Sequence, residues 1–255
     1  MTKAPQHTLT QKKEVCIVTT IYKKTLTPNE QKSIEHLEYF LGKHDKFAVV
    51  PTGTDYQLPG FISKYFDEMK EIIDNISREK INEVVEALFT AWKNGKRVFI
   101  MGNGGSASTA THFTCDLSKV TIVGNKKRFR VMGLNDNIPL VSALTNDDGW
   151  NEIYVEQLKN NFEKGDIAIA FSVHGGSGKD KAGAWSQNLL KALQYAKDNN
   201  GTAIGFSGFD GGAMNELADI CVVVPFNSTP HVESFHLVLE HLITFCLLEK
   251  IKKEN

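Results

Sequence analysis

Residues Val98 to Lys119, VFIMGNGGSASTATHFTCDLSK, hold side-chain types at spacings that suit chemistry on a small anion. Gly102-Asn103-Gly104-Gly105-Ser106 follows an apolar run and reads as a tight turn into a helix. Glycine admits φ > 0 and lets the backbone approach a ligand closely. A helix that begins there offers unpaired N–H groups and the positive end of its dipole. Gly104, Gly105 and Ser106 would then cradle a phosphate, with the Ser106 hydroxyl as a further donor. Six residues on, His112 and Asp116 stand four apart and share one helix face. A phosphate cradle beside a titratable pair points to an enzyme on a small phosphorylated substrate. The pattern is neither G-x-G-x-x-G nor G-x-x-x-x-G-K-[ST], and no lysine follows the glycines to reach a β- or γ-phosphate. A dinucleotide enzyme or an NTPase is therefore not the first reading.

The motif recurs in kind about seventy residues later. Lys164 to Ser177 reads KGDIAIAFSVHGGS, an apolar strand Ile167–Phe171 that ends in Ser172, Val173, His174, two glycines and Ser177. Two such turns at the carboxyl ends of parallel strands lie where open α/β sheets bind ligands. Ser106, Ser172 and Ser177 are then expected around one phosphate. Asp210-Gly211-Gly212 reads as a helix start with no chemistry of its own.

The elements that must position these turns alternate. Apolar periodicity predicts helix from Phe61 to Asn94, closed by Gly95. It then predicts strand Val98–Met101, helix Ser108–Leu117 and strand Arg130–Leu134, with a strand or a helix up to Leu144. Next come helix Ile153–Asn161, strand Ile167–Phe171, helix Ala184–Asp198, strand Thr202–Ser207, helix Gly212–Ala218, strand Ile220–Val224 and a long helix Glu233–Lys252. Strictly alternating strands and helices imply a parallel sheet covered on both faces. Residues 1–60 read as an appendage of the β-α-β kind. It has a strand Val15–Tyr22, a helix capped at Thr27 with Pro28 behind it, and a strand Phe47–Val50. The division is thus 1–60 for the appendage and 61–255 for the main domain.

Composition bounds the function. A net charge of −1 over 255 residues excludes the basic surface that non-specific nucleic-acid binding needs. Cys16, Cys115, Cys221 and Cys246 are scattered without a C-x-x-C, as free thiols of a reducing compartment would be. The sequence shows no apolar run of the ~20 residues that spans a bilayer, and no signal-peptide core at its start. The expectation is a cytoplasmic protein without membrane or nucleic-acid partners.

With these motifs in place, the chain resembles the SIS (sugar-isomerase) domain, and within it the bacterial phosphoheptose isomerases. The resemblance runs from about Phe61 to Lys250. It rests on GNGGSASTATHF, LTNDDGWNEIY (Leu144–Tyr154), FSVHGGS, GFDGG (Gly208–Gly212) and HVESFHLVLEHL (His231–Leu242), in that order. It implies an α/β three-layer sandwich with a parallel sheet, and isomerisation of sedoheptulose 7-phosphate to D-glycero-D-manno-heptose 7-phosphate through an enediol. That chemistry serves heptose precursors of lipopolysaccharide, capsule or a related glycan. The resemblance also implies a homotetramer with sites built between subunits, and no nucleotide or redox cofactor.

Residue by residue, the resemblance places Asp116 where the family has its glutamate base, one methylene shorter, and His241 at the second catalytic position. Asn103, Asp147 and Glu233 match positions lining the sugar site. His174 stands where the family has the middle serine of its Ser-x-Ser-Gly-x-Ser loop, and the segment 178–183 with Lys179 and Lys181 looks longer than the family's turn. His112, Asp116, Glu233 and His241 together match positions that hold zinc in some relatives. Glu233 and His241 are eight apart, ~12 Å along a helix, so a shared ion requires Glu233 at the loop–helix junction or on another subunit. A zinc ion at this set, or none, stays open. Two further readings remain: a non-catalytic SIS sensor or replication-initiator binder, and an isomerase of another sugar phosphate.

Overall fold

A computed structural model of the protein describes residues 58–176 and 185–254. The expected β-α-β appendage, Ser177 and the lysines of the 178–183 loop lie outside the described residues.

Five strands, β1 (Arg97–Gly102), β2 (Arg130–Gly133), β3 (Ile167–Phe171), β4 (Thr202–Gly208) and β5 (Ile220–Val224), form one parallel sheet in the order β2-β1-β3-β4-β5. The helices are α1 (Leu58–Asn75), α2 (Arg78–Lys93), α3 (Gly105–Lys119), α4 (Ile138–Asp147), α5 (Val155–Asn161), α6 (Gln187–Asp198), α7 (Gly212–Leu217) and α8 (Thr229–Lys253). The strand order reverses direction between β1 and β3, and a crevice opens beyond their carboxyl ends at such a switch point.

The period of two along each strand sorts the core into two halves. Val98 and Ile100 face the layer of α1, α2, α3 and α8, while Phe99 and Met101 face α5, α6 and α7. In β3 the bulky Ile167, Ile169 and Phe171 point to the first layer. The small Ala168 and Ala170 point to the second, where Ala192 and Ala196 of α6 join the same cluster. This is the three-layer α/β sandwich expected. Asp166 fastens the two central strands at their start. Its buried carboxylate accepts from the Arg97 amide and guanidinium and from the Glu163 amide, each at 2.9 Å.

Three differences from the expectation bear on the site. Helix α3 begins at Gly105 rather than Ser108, so Gly105 and Ser106 form its first turn. The ambiguous segment before Leu144 is helical, because the Asn137 side chain caps α4 by accepting from the Leu140 amide and Pro139 follows in the first turn. Helix α8 begins at Thr229 rather than Glu233, with Pro230 in its first turn. By length and composition alone it is also long and apolar enough to cross a membrane. Its apolar side is a core face, since Val232, Phe235, Leu239, Ile243, Leu247 and Ile251 are buried under the sheet.

Candidate active site

The turn between β1 and α3 is built by glycine where nothing else fits. A Cβ on Gly102 would lie 2.3 Å from the Ser106 carbonyl oxygen, and Gly104 holds φ +57° as the residue ahead of α3. Asn135 clamps this turn. Its side chain accepts from the Gly102 amide at 3.2 Å and donates to the Gly102 carbonyl at 2.8 Å. Tyr154 donates to the same carbonyl. Burial pushes the Tyr154 hydroxyl up to about 12, against the opposing pull of Asn135 and Gly102, so it acts as a fixed donor.

Asn103 leads into the site, but its amide is committed to the protein. It exchanges hydrogen bonds of 3.0 and 2.9 Å with the buried Asn188 of α6. Such a pair fixes the turn as well as any contact to substrate.

Beyond the turn lies a cavity of about 230 Å³. Asn103, Ser106, Ser172, His174 and Glu233 line it, with Trp185 and Thr229. Ser106 and Ser172, both buried, thus face one space, as the two loops require. His174 packs against Phe209 and Trp185, with centroids 4.4 and 5.7 Å away. The loop behind it is tied to α7, where the Met214 amide donates to the Gly175 carbonyl. Asp210 accepts from the Gly212 amide at 3.1 Å, which fits its reading as a helix start. Asp147 is exposed at the end of α4, bonded to Asn146, and does not line this cavity.

The second feature lies where α3 and α8 run side by side. His112, Asp116, Glu240 and His241 bring one donor atom each to within 4.8 Å of one another. The two Nε2 atoms are 3.2 Å apart. His241 is 3.7 Å from Asp116 and 3.3 Å from Glu240, and His112 is 3.9 Å and 3.7 Å from the same two. Burial, helped by the Asp116 charge, raises the Glu240 carboxyl to about 8. Ligand atoms of a tetrahedral zinc with bonds of ~2.0–2.1 Å stand about 3.3 Å apart. The four groups therefore fit a divalent ion with little movement.

Glu233 is not among them. It sits inside α8, because Pro230 starts the helix four residues early. Its carboxylate lies over the α3 N-terminus, where a Cβ on Gly105 would be 2.5 Å from Oε1. Of the expected set, this chain brings His112, Asp116 and His241 together with Glu240, while Glu233 of the same chain lies apart from them. The sequence did carry a signal for Glu240: a carboxylate in the apolar run Leu237–Leu242.

Residues 64–208 match the family described as SIS domain. Over 162 residues, 62% of this chain, the sequence is 41% identical to the lincomycin biosynthesis protein LmbN of Streptomyces lincolnensis, and the match spans 58% of that protein. It is 34% identical over 182 residues to a phosphoheptose isomerase of Aliarcobacter butzleri, covering 71% of this chain and 87% of the relative. The fold superposes on a phosphoheptose isomerase structure from Francisella tularensis with a TM-score of 0.67 at 22% identity, over 76% of this chain and 99% of the other. Motifs, sheet order and relatives agree: the chain belongs to the SIS-domain phosphoheptose isomerase family.

Proposed function

We propose that the protein isomerises sedoheptulose 7-phosphate to D-glycero-D-manno-heptose 7-phosphate, an aldose–ketose exchange through an enediol. The observation that carries this reading is the alignment of two sites along one pair of helices. Glu233 of α8 meets Gly105 at the α3 N-terminus, and His241 of α8 meets His112 of α3 further along. Seven to eight helical residues separate the two levels, ~10–12 Å. An extended seven-carbon chain with a terminal phosphate, at ~1.3 Å per bond, spans about the same distance. A phosphate held at Gly104, Gly105, Ser106 and Ser172 would thus set C1 and C2 at the histidine–carboxylate cluster.

The chain's own residues then divide the work. The α3 N-terminus and the two serine hydroxyls hold the phosphate, whose binding energy fixes the reacting carbons. Asp116 takes the proton from the carbon next to the carbonyl and returns it to its neighbour. His241 moves the proton between the two oxygens. Glu233, beside Gly105, accepts from the sugar hydroxyls nearest the phosphate. His112, Asp116 and His241 would hold a zinc ion, which when bound supplies Lewis-acid polarisation of a sugar oxygen.

On this reading the protein is a cytoplasmic homotetramer, and exposed apolar side chains support the association of its subunits. Val238, Leu242 and Phe245 of α8 flank His241 and stand half-exposed, as do Phe61, Phe66 and Ile73 of α1. A second subunit over this face would bury them and shield the cluster from water.

A second reading, the isomerisation of another sugar phosphate, is favoured by the 41% identity to a protein named for lincomycin biosynthesis. A panel of ketose and aldose phosphates followed by NMR, with and without zinc and a chelator, tests both. Conversion of the seven-carbon ketose with a kcat/KM above that of the other sugars is expected. Binding without turnover of any sugar would overturn the enzyme reading in favour of a sensor.

A further inference from the structure

Glu240 is the most costly side chain in this site. Its side chain is fully buried in α8, and neither carboxylate oxygen has a hydrogen-bond donor among the described residues. A buried carboxylate in that state costs free energy unless a cation compensates it. Oε1 is aimed into the cluster, 3.3 Å from His241 Nε2 and 3.7 Å from His112 Nε2. Among the described residues its ion-pair partners are the two imidazoles, and the Asp116 carboxylate is the other charged group of the cluster. Two imidazoles and two carboxylates form a neutral shell for a divalent ion, and the spacings of 3.2–3.9 Å are those of ligands sharing one. Glu233 of the same chain, by contrast, lies against Gly105 and lines the cavity.

We infer that Glu240, and not Glu233, is the fourth ligand of a zinc site completed by His112, Asp116 and His241. The inference rests on the metal reading of the cluster and sharpens it to one residue. It frees Glu233 for the sugar hydroxyls and lets one chain supply all four ligands. Adjacent residues can share the ion because the Glu240 and His241 donor atoms already lie 3.3 Å apart.

The test is zinc binding, read apart from activity. Full-length wild type, Glu240→Gln and Glu233→Gln are stripped with a chelator and titrated with zinc, and metal per chain is measured by mass spectrometry. The expected result is one zinc per wild-type chain, a Kd raised ~10- to 100-fold or more in Glu240→Gln, and an unchanged Kd in Glu233→Gln. Unchanged affinity in Glu240→Gln, with the loss in Glu233→Gln, overturns the assignment and leaves the zinc site standing. A wild type that holds no zinc overturns the zinc reading itself. Glu240→Cys loaded with cobalt gives a gain of signal, since a thiolate on the ion produces a charge-transfer band that wild type lacks. A Glu240→Cys chain that binds cobalt without this band refutes the ligand role.

Discussion

His236 offers a stability test that the fold dictates. It is fully buried beneath the sheet, between Phe171 and Phe206 at 5.6 and 6.3 Å, and its Nε2 lies 3.2 Å from the Ser207 carbonyl oxygen. Nε2 therefore carries the proton and donates, while Nδ1 has no partner among the described residues. Burial lowers the imidazole from 6.5 to about 4, only partly offset by the Ser207 hydrogen bond. The unfolded chain thus takes up this proton first as pH falls. The stability associated with neutral His236 is complete above pH 6.5, declines down to about pH 4 and is flat below. Each pH unit in that window costs up to ~1.4 kcal/mol, so the whole window is worth roughly 3 kcal/mol. Glutamine at this site can keep a donor to Ser207 without titrating. Urea unfolding of wild type and His236→Gln from pH 7.5 to pH 4 isolates the effect, because the other groups cancel in the difference. Wild type should lose on the order of 3 kcal/mol more than the variant. Parallel curves would refute the assignment of a neutral buried histidine.

Three substitutions probe the site. Asp116→Asn and His241→Ala should each lower kcat by ~10²–10⁴-fold with the oligomer intact on gel filtration, and full activity in either would remove that residue from the mechanism. Ser106→Ala should raise KM for the phosphorylated sugar by about tenfold with kcat nearly constant, since it removes a hydrogen bond to a charged group far from the reacting carbons. Gly102→Ala should yield little folded protein in a thermal melt, because its methyl would press to 2.3 Å from the Ser106 carbonyl.

The parts of the site that sequence revealed are local. The strand–turn–helix at Gly102–Ser106 is written in consecutive residues, as is the second loop at Ser172, so local sequence alone sets both at strand ends. The His112/Asp116 pair followed from helical spacing alone. What stayed hidden depends on contacts across the chain. The Asn103 amide is committed to Asn188, 85 residues away, and no periodicity announces such a pair. Glu240 was hidden by the placing of α8. With the helix begun at Glu233, that residue looked like a junction, whereas Ser228-Thr229-Pro230 already marks the true start. The earlier start carries Glu233 to the α3 N-terminus, while Glu240 projects into the cluster beside His241. The segment up to Leu144 was ambiguous because a short apolar run fits strand and helix equally, and only the Asn137 cap decides it.

The central claim is that this histidine–carboxylate cluster moves a proton between C1 and C2 of a seven-carbon sugar phosphate. The most direct measurement is conversion of sedoheptulose 7-phosphate in D₂O, with the aldose product analysed by NMR. The expected product is D-glycero-D-manno-heptose 7-phosphate carrying deuterium at C2, delivered by a base that exchanges with solvent, and formed at least ~10²-fold more slowly by Asp116→Asn. A product that forms with only protium at C2, or a wild type that binds the sugar phosphate and leaves it unchanged, would contradict it.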